Sequence, residues 1–173
     1  AIEKLKKSLE ITYTYWPAGN MGHFRHNASL VKEKYVCSTG DDDYQIPRAL
    51  TKFAEFLEQN PDYSCTGGVA VSFRTKDSAV YGKLLRVSDY PRHAVEADTA
   101  AQRLIDFMGA YFTPTFSVNR TTDMQQHWDN PGTIDNVSIL NELLPACLVV
   151  VFGKVKLFPD QLGFLRQIHD RQT

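Results

Sequence analysis

The stretch "KYVCSTGDDDYQIPRALTKFAEFLEQNPDY" (residues 34–63) decides the reading of the chain. Its first six residues form a short apolar run of strand type, closed by Gly40. Three aspartates follow, Asp41, Asp42 and Asp43. Pro47 then opens a helix at its first turn, where a missing N–H costs nothing. Leu50, Phe53, Phe56 and Leu57 recur at helical spacing and give that helix one apolar face, and "NPDY" stops it. A buried strand, an acidic strand end and a helix in immediate succession predict an α/β unit, with the acid at the edge where such sheets bind ligands.

Outward from that unit, strands and helices alternate. "LEITYTYW" (9–16) reads as a strand, "PAGNMGHFRHN" (17–27) as a loop and "ASLVKE" (28–33) as a short helical segment. Residues 67–73 and 79–87 read as two strands joined by the turn "RTKDS". Residues 96–112 are the clearest amphipathic helix, with Ala97, Ala101, Leu104, Ile105 and Met108 on one face. Residues 114–120 read as a strand and "RTTDMQQHWDNPGTIDN" (120–136) as a long polar loop, with Trp128 placed to stack on a sugar ring or to cover the core. A helix over 138–148, a strand over 148–158 broken at Gly153, and a C-terminal helix from Asp160 complete the prediction. No repeat or linker divides residues 1–173, so a single α/β domain is expected.

Composition sets limits. The chain has 173 residues, 43% hydrophobic and 23% charged, enough for one real core. A formal net charge of -1 and no long basic run argue against nucleic acid as partner. No apolar stretch approaches the roughly 20 residues that span a bilayer. The three cysteines, Cys37, Cys65 and Cys147, are far apart and form no zinc or disulfide pattern, so a reducing, cytoplasmic setting is expected.

Adjacent carboxylates repel, so the triplet is either a solvated turn or helix cap, or a place for a cation. In extended backbone Asp41 and Asp43 point to one side and can share a hard divalent ion, Mn²⁺ or Mg²⁺. Asp42 then faces away or meets a ligand hydroxyl.

The order of segments resembles family 2 glycosyltransferases of the GT-A fold, and "GDDDY", "QIPRAL" and "FLEQNPDY" resemble a bacterial and archaeal branch of them. The likeness runs roughly over residues 8–168, through "TFSVNRTTDM", "NELLPACLVVVFGKVKLFP" and "GFLRQ". Asn20, Gly22 and Asn27 match a loop of the form N-x-G-x-x-x-x-N; His26 stands where arginine is usual, with Arg25 one place earlier. The resemblance implies a mixed sheet flanked by helices and metal-dependent, inverting transfer from a nucleotide sugar, foremost a UDP-sugar, to a glycan or lipid-linked acceptor. It implies a cytoplasmic protein, peripheral to the membrane where the acceptor is a lipid. By the same likeness Asp41 and Asp43 hold the metal, and Asp42 and Arg166 contact the donor. Glu142 is the acceptor-side base, Asp135 the second candidate, with Asp98 and Glu96 behind. His169 would supply a further metal or phosphate ligand. The resemblance also implies an incomplete catalytic domain, lacking the strand–helix–strand unit that holds base and ribose. An uncovered sheet edge and self-association are therefore expected. Two other functions fit the residues: a noncatalytic carbohydrate-binding module of the same fold, and a metal-dependent phosphohydrolase using the aspartates similarly.

Overall fold

A computed structural model describes residues 6–15, 22–76, 82–129 and 142–169. In chain order the elements are α1 (Gly22–Leu30), β1 (Tyr35–Val36), β2 (Asp43–Gln45), α2 (Pro47–Gln59), β3 (Tyr63–Thr75), β4 (Leu84–Tyr90), α3 (Ala100–Gly109), β5 (Val118–Arg120), α4 (Thr121–Asp129), α5 (Leu144–Phe152) and β6 (Lys154–Gln167). One mixed sheet runs β1-β5-β3-β6-β2, and β4 joins β3. Only the β3–β6 pair is parallel among the pairings of the described residues. The sheet is α/β and flanked by helices on both faces, as expected.

Two apolar clusters hold the layers together. Ala49, Phe53 and Leu57 of α2 pack on Val118 of β5. On the other side Phe107 of α3 and Ala146, Val149 and Val150 of α5 pack on Cys65, Val95 and Val155. These are the apolar faces of the two best amphipathic helices meeting the pleat of the central strands.

The widest break in register between the two longest strands falls between Gly68 and Val69. Gly68 pairs with Phe158 and Val69 with Leu162, so Pro159, Asp160 and Gln161 bulge out of β6. The bulge folds its backbone onto Gly68. A Cβ there would lie 2.0 Å from the Gln161 carbonyl oxygen, so only glycine fits.

Two arginines, Arg103 buried and Arg120 half-buried, close helix ends. Arg103, 7% exposed, donates from Nε to the Val150 carbonyl (2.7 Å) and from Nη2 to the Val151 carbonyl (3.0 Å) at the end of α5. Its Nη1 donates to the Ala97 and Asp98 carbonyls, both at 3.0 Å. Arg120 does the same for α2, donating to the carbonyls of Leu57 (2.6 Å), Asn60 (2.9 Å) and Tyr63 (2.8 Å). Each supplies a cation where the helix dipole and the last unbonded carbonyls need one.

Several expected elements differ. Residues 10–15 form no strand, and the expected loop at 17–27 is helical from Gly22 on. Tertiary packing makes that helix: Phe24 stacks on Trp128 at 4.7 Å, and Gln125 caps the Ala28 and Val31 carbonyls. Trp128 therefore lies on a helix, α4, and the polar segment expected as a loop is helical over Thr121–Asp129. The run "LVVVF" is helix α5, not strand; an unbroken apolar run carries no period to tell the two apart. Pro145 in its first turn and Arg103 at its end decide the matter. The C-terminal segment expected as a helix is the second half of β6, held by β3 and β2. The expected helix at 96–112 spans Ala100–Gly109, and the expected strand at 114–120 starts as a 3₁₀ turn.

His127 gives this fold an acid weakness. It is 2% exposed, stacks on Phe152 at 5.1 Å, and neither ring nitrogen has a hydrogen-bond partner among the described residues. Burial lowers its pKa to about 4. The unfolded chain therefore binds the proton first as pH falls, so stability is full above about pH 6.5 and declines down to about pH 4. The expected loss is roughly 2 kcal/mol between pH 7 and 4.5. Urea midpoints at the two pH values should differ by less in His127→Phe than in the wild type; equal differences would refute the assignment.

Candidate functional site

The aspartates stand on a turn, not on extended backbone. Asp43 N–H donates to the Gly40 carbonyl at 3.3 Å, and only Asp43 enters β2. The side-to-side relation expected for Asp41 and Asp43 is thereby replaced. Asp41 is exposed, while Asp42 and Asp43 both lean over Gly40. A Cβ on Gly40 would lie 2.8 Å from Asp43 Oδ2 and 3.1 Å from Asp42 Oδ1. Glycine leaves the two carboxylates room to approach each other.

Asp43 is 8% exposed, and its Oδ1 is buried without a hydrogen-bond partner. The nearest cation is Arg166, Nε to Oδ1 at 4.0 Å, directly opposite in the β2–β6 register. Burial raises the Asp43 pKa, Arg166 opposes it, and the Asp42 and Asp41 charges push it further up. The Arg166 guanidinium lies over the rings of Tyr90 (5.8 Å) and Phe116 (6.0 Å). Gln167 N–H donates to the Asp42 carbonyl at 2.9 Å, which brings His169 Nε2 to 3.8 Å from Asp42 Oδ2. Thus Asp42 and Asp43 meet Arg166 and His169, which lie far along the sequence, because β2 pairs antiparallel with the end of β6.

The register extends this group across the sheet. Asp43 pairs with Arg166, Arg166 with Ser72, and Ser72 with Ser88. Paired residues share a face, so these four form one polar row. At about 4.8 Å per strand the row spans roughly 14 Å. Arg74 and Arg86 pair on the same face one step further along β3 and β4. None of Tyr90, Phe116, Ser72, Ser88, Arg74 or Arg86 was expected from sequence. The available signal was the mirrored S-x-R of residues 72–74 and R-x-S of residues 86–88.

Glu142 is exposed at the entry to α5 and accepts a hydrogen bond from the Tyr111 hydroxyl at 3.0 Å. Burial, then Glu142, push the Tyr111 phenol up to about 12, and Tyr90 adds to the effect. Asn27 lies on α1, where its Oδ1 accepts from the Thr14 hydroxyl at 2.8 Å; Gly22 opens that helix. Arg25 and His26 line a cavity of about 830 Å³ between α1 and α4, and Arg25 is paired with Asp129 at 2.6 Å. None of the three aspartates lines that cavity. Glu96 and Asp98 are in ion pairs with Lys156 (3.0 Å) and Lys154 (3.3 Å). Asn20 and Asp135 lie outside the described residues.

The donor set suits one kind of metal only. Among the described residues no three His, Cys, Asp or Glu side chains form a metal cage. Mg²⁺ and Mn²⁺ need none: one or two carboxylates suffice when substrate phosphates and waters complete the shell. The buried, unpartnered Oδ1 of Asp43 fits such an ion. Among the described residues no helix is long and apolar enough to cross a membrane. No protein-family model matches the chain, and no curated protein matches it.

Proposed function

We propose that the protein transfers a sugar from a nucleotide-sugar donor to a hydroxyl acceptor with the help of a divalent metal. The observation that carries this reading is Asp43: a buried carboxylate with an unpartnered oxygen, its pKa raised, beside a second carboxylate. A buried carboxylate whose nearest cation stands 4.0 Å away is costly, and a divalent ion would reduce that cost. Asp43 and Asp42 would hold Mn²⁺ or Mg²⁺, with Asp41 at the exposed rim. The ion, when bound, neutralises the leaving diphosphate. Arg166, held in place between Tyr90 and Phe116, donates to a phosphate oxygen of the donor. Glu142 takes the acceptor proton: Tyr111 bonds one of its oxygens and fixes the carboxylate, leaving the other for the hydroxyl. Direct displacement by that hydroxyl inverts the sugar carbon.

A Mn²⁺ titration of isotope-labelled protein, followed by NMR with and without UDP, tests the reading. Paramagnetic broadening should centre on Asp41 to Asp43 and Arg166, at lower Mn²⁺ when UDP is present. Diffuse broadening that UDP leaves unchanged would reject it.

A further inference from the structure

At the opposite edge of the sheet from the carboxylates, β5 runs directly into α4: Arg120 ends the strand and Thr121 begins the helix. Sheet order places this junction beside β1, whereas the aspartates stand beside β2 and β6. A pocket of about 410 Å³ lies against it, and the lining includes Lys32, Lys34, Arg120, Thr121 and Thr122. The Thr121 N–H donates to the Lys34 carbonyl at 3.1 Å, which fixes the junction against the start of β1. The next N–H groups, of Thr122 and Asp123, have no partner inside the helix, and a helix start favours negative charge.

Two further observations point to a ligand. Thr121 lines the pocket and is only 6% exposed, yet its hydroxyl is buried with no hydrogen-bond partner among the described residues. An unpaired buried hydroxyl is costly, and a ligand oxygen would recover that cost. Arg120 spends Nε and Nη2 on carbonyls, but its Nη1 carries no hydrogen bond among the described residues, and no carboxylate there is in ion-pair contact with it. The exposed Lys32 ammonium has no carboxylate partner among them either. The acids nearby do not cancel these charges. Glu58 is taken up by Lys34 at 2.5 Å, and Asp123 is not part of the lining. Glu33 does line the pocket, and its Oε2 accepts the Lys32 N–H at 3.2 Å.

We propose that the β5–α4 junction binds a phosphoryl group. A phosphate has oxygens enough for the Arg120 Nη1, the Thr121 and Thr122 hydroxyls and the first free N–H groups of α4, and its charge answers Arg120 and Lys32. The pocket is larger than inorganic phosphate, so the group can belong to a small phosphate monoester. The site shares no residue with the transferase reading and does not rest on it.

Titration of the isotope-labelled full chain with inorganic phosphate and with glycerophosphate tests it, followed by amide NMR in EDTA at constant ionic strength. The Thr122 and Asp123 amides should shift most with either probe. EDTA removes metal-bridged binding at the aspartates and the shifts locate the anion, so failure here and failure of the transferase reading are separate results. Thr121→Val keeps the shape and removes the hydroxyl. It should bind both probes at least about tenfold more weakly, while its urea midpoint stays or rises, because the lost hydroxyl had no partner. Lys32→Ala, at an exposed position, should melt like the wild type and bind about threefold more weakly. Arg48→Ala, on the exposed side of α2, should bind as the wild type does. No binding of either probe, shifts centred on Asp43 and Arg166 instead, or affinity unchanged in Thr121→Val or in Lys32→Ala would overturn the proposal.

Discussion

Arg103→Met should lower the stability of the protein by about 4–5 kcal/mol, since charge-assisted hydrogen bonds to four carbonyls go at once. Methionine matches the length of the aliphatic stem but donates nothing. The carbonyls of Val150 and Val151 would remain buried at the end of α5 without a donor, and the segment before α3 would lose its tie at Ala97 and Asp98. In a chain of this size the change corresponds to a fall in Tm of roughly 10–15 °C. Thermal and urea denaturation measure it. A shift of a degree or two would mean that water reaches those carbonyls and that the arginine merely fills space. Arg103→Lys should recover only part of the loss, because an ammonium cannot reach carbonyls on two segments with a planar fork.

Asp43→Asn should move binding and stability in opposite directions. Loss of the buried charge should weaken Mn²⁺ binding in the presence of UDP by more than about 100-fold, beyond what losing a mere supporting contact costs. Transfer should cease with it. Stability at neutral pH should rise. The folded protein raises the pKa of Asp43, so it holds that proton more tightly than the unfolded chain does. Ionisation therefore opposes folding: the carboxylate's cost is absent below about pH 3.8 and grows as pH rises through the raised value. Asparagine removes the cost, so its advantage should be largest at pH 7 and vanish in acid. Electron paramagnetic resonance of Mn²⁺ and urea unfolding at pH 7 and pH 3.5 give the two halves. A variant that is less stable at pH 7 would show that the long contact to Arg166 outweighs desolvation, and retained transfer would sink the metal assignment.

The helix from Pro47 and the acidic turn before it were legible because their signals are local. A proline in the first turn, one apolar face and a stop at Asn60 need no distant partner. The grouping of Asp42, Asp43 and Arg166 was legible only by resemblance; its geometry depends on β2, three residues long, finding β6. The helices α1 and α4 were illegible because they stabilise each other: Phe24 and Trp128 read separately as loop aromatics. The segment after Gly153 misled for a different reason. Its strand alternation is interrupted by the bulge at Pro159–Gln161, which removes the period that would have revealed a strand of fourteen residues.

The arginine clasps bear on how the chain reaches this state. Arg103 reaches carbonyls 47 residues away and Arg120 reaches one 63 residues away. The last carbonyls of α2 and α5 gain their side-chain donors only when an arginine from a distant part of the chain arrives. Loop closure over such distances is entropically slow, and its reward comes only when both ends are in place. Fraying at the ends of these two helices should therefore be coupled to the opening of the contacts that bring the arginines there.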